Sequence, residues 1–311
     1  MISIENLSKQ YGTTPVVDGV SMTIEPHSIA VIVGTSGSGK STLLRMINRL
    51  VEPTSGRVLI DGSETTAEPA HLLRRRIGYV IQGHGLFPHR TVAENIATVP
   101  QLLRWEPARI RARVHELLEV FQLEPAAYAD KFPHQLSGGQ QQRVGVARAL
   151  AAEPNVLLMD EPFGALDPII RAKAQEDLLD IQRRYGTTIV LVTHDMDEAF
   201  RLGDRIAVMS HGRVLQYDRP AVLLTHPADP FVARMTGSAD RALKLLSLTT
   251  AGEAALAGPA DGPPIPAGAS LRDALSELVW RGAERATVVD ADGRPCGSLT
   301  IAAILAHGRS N

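Results

Sequence analysis

One glycine-rich segment has the residue types and the spacing that bind a polyphosphate. Residues 34–41 fit the pattern G-x-x-x-x-G-K-[ST], between the apolar run Ile29–Val33 and a helical pattern. Tightly turned glycines direct several backbone N–H groups at one anion, and a helix start adds the positive end of its dipole. Lys40 can reach the β- and γ-phosphates, and the Ser41 hydroxyl can ligate Mg²⁺. A flexible Gly/Ser linker is the alternative, but its neighbours are a strand and a helix. The segment therefore predicts a nucleoside triphosphate site.

Two acids and a histidine follow later apolar runs. Asp160 and Glu161 end the run Val156–Met159, and His194 follows the run Thr188–Val192. Because the carboxyl ends of parallel strands meet at one edge of a sheet, we expect these side chains beside the glycine-rich loop. Asp160 can hold Mg²⁺ through water, and Glu161 can act as a general base towards the attacking water. Solvated acids and a structural histidine are the alternative, which the upstream loop disfavours.

Two further polar segments can complete such a site. Gln82 ends the predicted strand Ile77–Ile81, where its amide oxygen can join the Mg²⁺ shell or orient water. The segment Leu136–Arg143 contains a hydroxyl, two glycines and a helix start, which form a second anion-receptive helix N-terminus. Taken alone, this second segment is more typical of a plain loop before a capped helix.

Short apolar runs alternate with helical patterns along most of the chain. Strands are predicted at Val20–Ile24, Ile29–Val33, Val58–Ile60, Ile77–Ile81, Val156–Met159, Thr188–Val192, Arg205–Met209 and Arg213–Gln216. Helices are predicted at Thr91–Val99, Arg109–Phe121, Ile169–Arg184 and Met196–Leu202. This alternation predicts a parallel α/β sheet. The stretch from about 88 to 152 is predicted to be a helical insert.

The composition changes after about residue 237. Residues 237–268, whose second half is rich in Ala, Gly and Pro, are interpreted as a linker. Residues 269–311 then predict a small α+β unit, with a helix near 271–279, strands at Ala286–Val289 and Cys296–Leu299, and a last helix at Ile301–Ala306.

Composition and charge narrow the function. The 311 residues suffice for one large domain and a smaller one, and the net charge of −2 gives no indication of a nucleic-acid partner. The single cysteine, Cys296, cannot form an internal disulfide, which fits a reducing cytosol. We expect no signal peptide and no membrane span, because the required apolar stretches are missing. Other chains must cross the bilayer if the protein serves a membrane process.

In combination, the motifs resemble those of ABC transporter ATPases over residues 1–236. The resemblance places the Walker A loop at Gly34–Ser41, the Q-loop residue at Gln82, the signature at Leu136–Gln140 and the D-loop at Ala165–Asp167. Walker B ends at Asp160, Glu161 follows it, and His194 is the switch histidine. It implies a P-loop NTPase fold of ABC type, in which a RecA-like core sheet carries an antiparallel β subdomain and a helical subdomain.

The resemblance also implies ATP and Mg²⁺ as ligands and roles for individual residues. The implied catalytic residues are Glu161, His194 and Lys40, and the implied metal ligands are Ser41, Gln82 and Asp160. The residues implied in ATP binding are Tyr11, Gly34, Thr35, Ser36, Gly37, Ser38, Gly39, Lys40, Ser41, Thr42, Gln82, Ser137, Gly139, Gln140, Asp160 and Asp167. Two copies face head to tail, so that each ATP lies between one copy's phosphate loop and the other copy's signature.

Three segments are similar to the osmoprotectant (quaternary-amine) importer ATPases, namely Met46–Pro53, Ile77–His89 and Met159–Pro168. This similarity implies a peripheral ATP-hydrolysing subunit on the cytoplasmic face of the plasma membrane. It also implies a homodimer, integral-membrane permease subunits and, indirectly, a solute-binding protein. The cargo would be glycine betaine, carnitine, choline or a proline-like solute. An importer of another small solute, such as an amino acid, and a non-transport ATP-gated regulator stay open.

Residues 269–307 resemble half of a cystathionine-β-synthase (CBS) module. The nucleotide-binding pattern of that family, Gly-x-x-Thr-x-x-Asp, is matched by Gly297 and Thr300, but Ala303 occupies the position of the ribose-binding acid. This departure weakens the case for a nucleotide there. A sensor, a dimerising element and a vestigial tail are the open alternatives.

Overall fold

The computed structural model describes residues 1–83, 85–164, 166–237, 240–258 and 261–309. Ala165 of the predicted D-loop and His84 of the segment Ile77–His89 lie outside the described residues. The chain divides into two compact units, residues 1–217 and 218–311. The boundaries predicted from the sequence, at residues 236 and 269, stay predictions.

The first unit contains ten strands and nine α-helices among its described residues. The strands are β1 Ile2–Tyr11, β2 Thr14–Ile24, β3 Ile29–Val33, β4 Ser55–Ile60, β5 Ser63–Glu64, β6 Ile77–Val80, β7 Val156–Asp160, β8 Thr188–Thr193, β9 Arg205–Ser210 and β10 Arg213–Asp218. The α-helices are α1 Lys40–Ile47, α2 Ala70–Arg75, α3 Val92–Ile96, α4 Thr98–Leu102, α5 Pro107–Val120, α6 Pro125–Tyr128, α7 Gly138–Leu150, α8 Pro168–Tyr185 and α9 Met196–Leu202. Short 3₁₀ helices lie at Thr65–Ala67 and Pro133–Gln135.

A six-stranded sheet forms the core of this unit, in the order β10-β9-β3-β8-β7-β6. β3 pairs in parallel with β8 and β9, and β7 pairs in parallel with β6 and β8. Every residue of β3, β7 and β8 is buried, as expected for a parallel sheet covered on both faces. The carboxyl ends of these strands meet at one edge, which confirms the predicted α/β core.

A second, antiparallel sheet has the order β2-β1-β4-β5. The sequence predicts only its segments Val20–Ile24 and Val58–Ile60, whereas the structure contains the long hairpin β1–β2. The pairing of β1 with β2 shifts register between Ile4 and Leu7, and Asn6 has φ 46°. This irregularity interrupts the alternation of apolar and polar residues, so that the pattern does not reveal the strand.

The helical lobe comprises α3 to α7, between β6 and β7. As the periodicity predicts, α5 buries Val114, Leu117 and Leu118. A groove of about 530 Å³ lies among α3, α5 and α6, and its lining combines apolar side chains with Glu94 and Arg111. The described helices of the protein include none that could cross a lipid bilayer.

The second unit folds around a three-stranded sheet. Its elements are α10 Pro220–Thr225, α11 Pro230–Thr236, α12 Arg241–Ser247, α13 Ala251–Ala254, β11 Pro264–Pro266, α14 Leu271–Arg281, β12 Arg285–Val289, β13 Pro295–Thr300 and α15 Ile301–His307. The predicted helix–strand–strand–helix order is present, and β11 adds a parallel strand beside β12.

The stretch 237–268 is not a plain linker, contrary to its interpretation from composition. It contains α12, α13 and β11, whose side chains Leu246, Ala251, Ala254 and Ile265 join the core of the second unit. Alanine is small enough to pack closely in a core while leaving no strong apolar periodicity in the sequence. The composition therefore conceals these elements.

Candidate active site

The glycine-rich loop between β3 and α1 lies against two neighbouring strands. A Cβ atom on Gly34 would lie 2.1 Å from the carbonyl oxygen of Met209 in β9. A Cβ atom on Gly39 would lie 2.3 Å from the carbonyl oxygen of Val16 in β2, and Gly39 has the left-handed φ of 99°. Neither position can accept a side chain without moving main chain.

Lys40 is buried at the beginning of α1, with 5% of its surface exposed. Its Nζ donates hydrogen bonds to the carbonyl oxygens of Gly34 at 2.8 Å and Thr35 at 2.9 Å. Burial lowers the pKa of Lys40, while the carboxylates of Glu161 and Asp160 act in the opposite direction. Because these hydrogen-bond acceptors are neutral carbonyls, they orient the Lys40 side chain without neutralising an ammonium charge.

The rest of the loop adds further anion donors. Lys40, Ser41 and Thr42 form the first turn of α1, where backbone N–H groups have no acceptor inside the helix. Ser36 and Gly37 are exposed in the same loop. The buried hydroxyl of Ser38 has no hydrogen-bond partner in the described part of the chain. The residues present therefore fit a phosphate group.

Ser41 and Asp160 bring two hard oxygen ligands together. The Ser41 hydroxyl donates to Asp160 Oδ1 at 2.8 Å, and Arg45 Nη2 lies 3.5 Å from Asp160 Oδ2. A hydrogen bond to Tyr79 raises the pKa of Arg45, and the charge of Asp160 adds to this effect. Hydroxyl and carboxylate oxygens are ligands that Mg²⁺ prefers, so this pair fits the metal. Sequence reasoning missed Arg45, although its position four residues after Ser41 places both on one helix face.

Glu161 lies where the carboxyl ends of three strands meet, namely β6, β7 and β8. Its Oε2 accepts a hydrogen bond from Gln82 Nε2 at 3.2 Å, and its Oε1 lies 3.5 Å from His194 Nδ1. The Glu161 N–H donates to the Val192 carbonyl at 2.9 Å, and the residue has the left-handed φ of 47°. A left-handed backbone is uncommon outside glycine and marks a position that its surroundings fix. Gln82, predicted as a metal ligand, therefore contacts Glu161 rather than Ser41 or Asp160.

The signature residues lie at the start of α7. Ser137 Oγ accepts from the Gln140 N–H at 3.3 Å, and Gln140 Oε1 accepts from the Ser137 N–H at 3.0 Å, which forms a capping box. A Cβ atom on Gly139 would lie 2.6 Å from Ile170 Cγ2 in α8. In the described part of the chain, no hydrogen bond or ion pair joins these residues to the phosphate loop.

Tyr11 and Asp167 are exposed and also lack a described hydrogen bond to the phosphate loop. Tyr11 ends β1 with 53% of its surface exposed, and Lys9 Nζ lies 5.1 Å from the centre of its ring. Asp167 caps α8, since its Oδ1 accepts from the Ile170 N–H at 3.1 Å. Within one protomer, Asp160 contacts the phosphate loop, and Gln82 and His194 both approach Glu161. Tyr11, the signature and Asp167 make no hydrogen bond or ion pair to that loop among the described residues.

A model of the ABC transporter family matches residues 17–164. The chain is 50% identical over 300 residues to the glycine betaine uptake system ATP-binding protein YehX of Escherichia coli (strain K12). The aligned residues are 96% of this chain and 97% of that protein. The chain belongs to the ABC transporter ATP-binding family. This ABC protein is therefore an ATPase.

Other relatives agree with this membership of the ABC family. The osmoprotectant import ATP-binding protein OsmV of Salmonella typhimurium (strain LT2) is 46% identical over 304 residues, which are 96% of this chain and 78% of that protein. A solved dimeric structure of the ATP-binding cassette MJ0796, in a post-hydrolysis state with ADP and Pi, matches with a TM-score of 0.64 and 35% identity. That match covers 70% of this chain and 98% of MJ0796.

Proposed function

We propose that this ABC ATPase powers the import of a quaternary-amine osmoprotectant through a separate membrane permease. Glycine betaine, carnitine, choline and proline-like solutes are the candidate cargoes. The observation that carries the proposal is the 50% identity to a glycine betaine uptake protein over 97% of that relative. The second unit of this chain must take part in that alignment, because only 4% of the chain lies outside it.

The phosphate loop binds the triphosphate in this proposal. Lys40 and the backbone N–H groups at the start of α1 hold the β- and γ-phosphates, because they supply charge and unpaired donors at one place. Ser41 and Asp160 would hold Mg²⁺, which would offset the negative charge of the phosphate oxygens. Thr35, Ser36 and Ser38 complete the loop around the phosphates.

Glu161 is the general base of this proposal. Its carboxylate orients the attacking water and takes a proton from it. Gln82 donates a hydrogen bond to one carboxylate oxygen and thereby fixes the direction in which Glu161 faces, while His194 lies 3.5 Å from the other oxygen. His194 and Lys40 also offset the charge that develops on the γ-phosphoryl oxygens.

A second copy of the chain completes the site. Ser137, Gly139 and Gln140 of one protomer contact the ATP held by the other, and Asp167 crosses the same interface. Among the described residues, these side chains make no hydrogen bond or ion pair to their own phosphate loop, which supports this arrangement. MJ0796, which is similar over 70% of this chain, is dimeric in its post-hydrolysis state.

Permease subunits receive the motion of the helical lobe. We assign this contact to two surfaces, the segment Gly83–Asn95 and the groove among α3, α5 and α6. In this proposal the subunit lies on the cytoplasmic face of the membrane. A solute-binding protein delivers the cargo to the permease, so the ATPase does not contact the solute.

Uptake measurements test this function. A strain that lacks the gene for this chain is complemented with the unchanged protein or with Glu161→Gln, and the uptake of radiolabelled glycine betaine, carnitine, choline and proline is measured. We expect the unchanged protein to restore uptake of at least one of them, and Glu161→Gln to bind ATP without restoring uptake. If only the uptake of an amino acid other than proline were restored, the protein would belong to an importer of that other solute. Failure with every solute, together with no permease in detergent extracts, would favour an ATP-gated regulator.

A further inference from the structure

Arg171 connects the start of α8 to the turn that carries His194. Its Nη2 donates a hydrogen bond to the Leu166 carbonyl at 3.0 Å, and its Nη1 lies 3.7 Å from Asp195 Oδ2. Leu166 precedes the helix cap of α8, and Asp195 follows His194 directly. One guanidinium group therefore contacts both the segment that follows β7 and the turn that follows β8.

Gln175, one helical turn further along α8, makes a second contact of the same kind. Its Nε2 donates to Glu198 Oε1 at 3.0 Å, and both side chains are buried. The Glu198 N–H donates to Asp195 Oδ1 at 3.1 Å, and the Thr193 hydroxyl accepts from the Asp195 N–H at 3.0 Å. Asp195, which follows His194, is thus held by Arg171 of α8 and by the first turn of α9, and Gln175 connects that turn to α8.

The imidazole ring of His194 makes few contacts of its own that could fix its position. Its side chain is 58% exposed, and within the described residues its only polar contact is the 3.5 Å approach to Glu161. A contact of that length is too long for a hydrogen bond of ordinary strength. The position of the ring therefore depends on the backbone turn, and the turn depends on its contacts with α8.

We infer that Arg171 and Gln175 are positioning residues that hold the His194 turn at its working distance from Glu161. This inference rests on the proposed role of His194 in hydrolysis. Arg171 also holds the segment before Asp167, which the proposal assigns to the partner's site.

If Arg171 had a merely structural role, its loss would affect the protein differently. The chain offers a matched control for this case. Arg201 of α9 and Glu176 of α8 form an ion pair of 3.0 Å between the same two helices. Arg201 lies at the far end of α9 from the His194 turn. Loss of this pair removes a contact between α8 and α9 without affecting the turn.

The experiment measures kcat and KM for ATP hydrolysis by the full chain with Mg²⁺, together with ATP binding and thermal unfolding. We expect Arg171→Met to lower kcat about tenfold and to change KM less than about twofold, because the interaction acts on the chemical step. Gln175→Leu is expected to act in the same direction, Arg171→Lys to restore most of the loss, and Arg201→Met to change neither parameter.

Combination with His194→Ala decides whether Arg171 acts through the histidine. If it does, Arg171→Met causes no further loss of kcat in the His194→Ala background, since coupled residues are not additive. Equal losses in both backgrounds, or an unchanged kcat for Arg171→Met alone, would overturn the inference and leave the proposed function intact. Full activity of His194→Ala would instead overturn the proposed role of the histidine and, with it, this inference.

Discussion

The phosphate loop and the signature segment both present backbone amides and a hydroxyl at a helix start, but only one of them is complete within the chain. The phosphate loop has the buried ammonium of Lys40 beside it and the Ser41–Asp160 pair at its end. The signature has no such charge, and Ser137 and Gln140 cap their own helix. Under the proposed function, this difference predicts that ATP binding depends mainly on the phosphate loop, whereas hydrolysis needs both regions, one from each copy.

Loss of the charge at the phosphate loop should have the largest effect. We expect Lys40→Met to weaken ATP binding at least a hundredfold, or about 2.8 kcal/mol, because a buried cation is removed from beside the phosphates. Calorimetric titration of the purified chain with Mg-ATP measures the affinity. Lys173→Met in α8, which loses an ion pair of 3.1 Å with Asp177, is the control and should bind normally. An affinity within about threefold of normal for Lys40→Met would contradict the comparison, because amides alone would then suffice.

A change of the signature hydroxyl should slow ATP hydrolysis strongly without weakening ATP binding. Aspartate keeps a helix cap, but in Ser137→Asp it places a carboxylate against the partner's γ-phosphate. We expect hydrolysis to fall about a hundredfold through this repulsion, with ATP affinity and the unfolding temperature unchanged.

Thr91→Asp is the matched control for that change. Thr91 closes a similar capping box at the start of α3, where its Oγ1 accepts from the Glu94 N–H at 3.3 Å. This variant should hydrolyse ATP at the normal rate. A normal rate for Ser137→Asp as well would show that the signature does not face the nucleotide.

Tyr11 should give the smallest effect. Its ring is half-exposed at the end of β1, so stacking on adenine is expected to contribute about 1 kcal/mol. We therefore expect Tyr11→Ala to raise KM roughly fivefold without changing kcat, and Tyr11→Phe to behave normally because the ring is kept. Steady-state kinetics with ATP measure both. Equal defects in the two variants would indicate that the hydroxyl group is the important part.

Much of the core could be predicted because local patterns and global topology agree there. The apolar strands before the phosphate loop, before Asp160 and before His194 are buried throughout, and parallel pairing necessarily brings their ends together. The family membership and the ABC fold predicted from these motifs are confirmed by the comparisons.

The remainder depends on tertiary contacts that no local pattern reports. The left-handed backbone of Glu161 accompanies a hydrogen bond from its N–H to the Val192 carbonyl on a neighbouring strand, and the strand β1 is concealed by the irregular pairing near Asn6. The helices of residues 241–254 form because a separate core accepts small side chains such as Ala251 and Ala254. Whether the second unit is a CBS module stays a prediction, as do the roles of the individual site residues.

The close approach of Gly34 and Gly39 to the strands β9 and β2 has a thermodynamic consequence. Neighbouring main chain already restricts the loop, so little conformational entropy is left to lose when a ligand arrives. Binding free energy can then appear as affinity instead of being consumed in ordering the receptor. A single added methyl group at either glycine would forfeit this preorganisation even though it removes no charge.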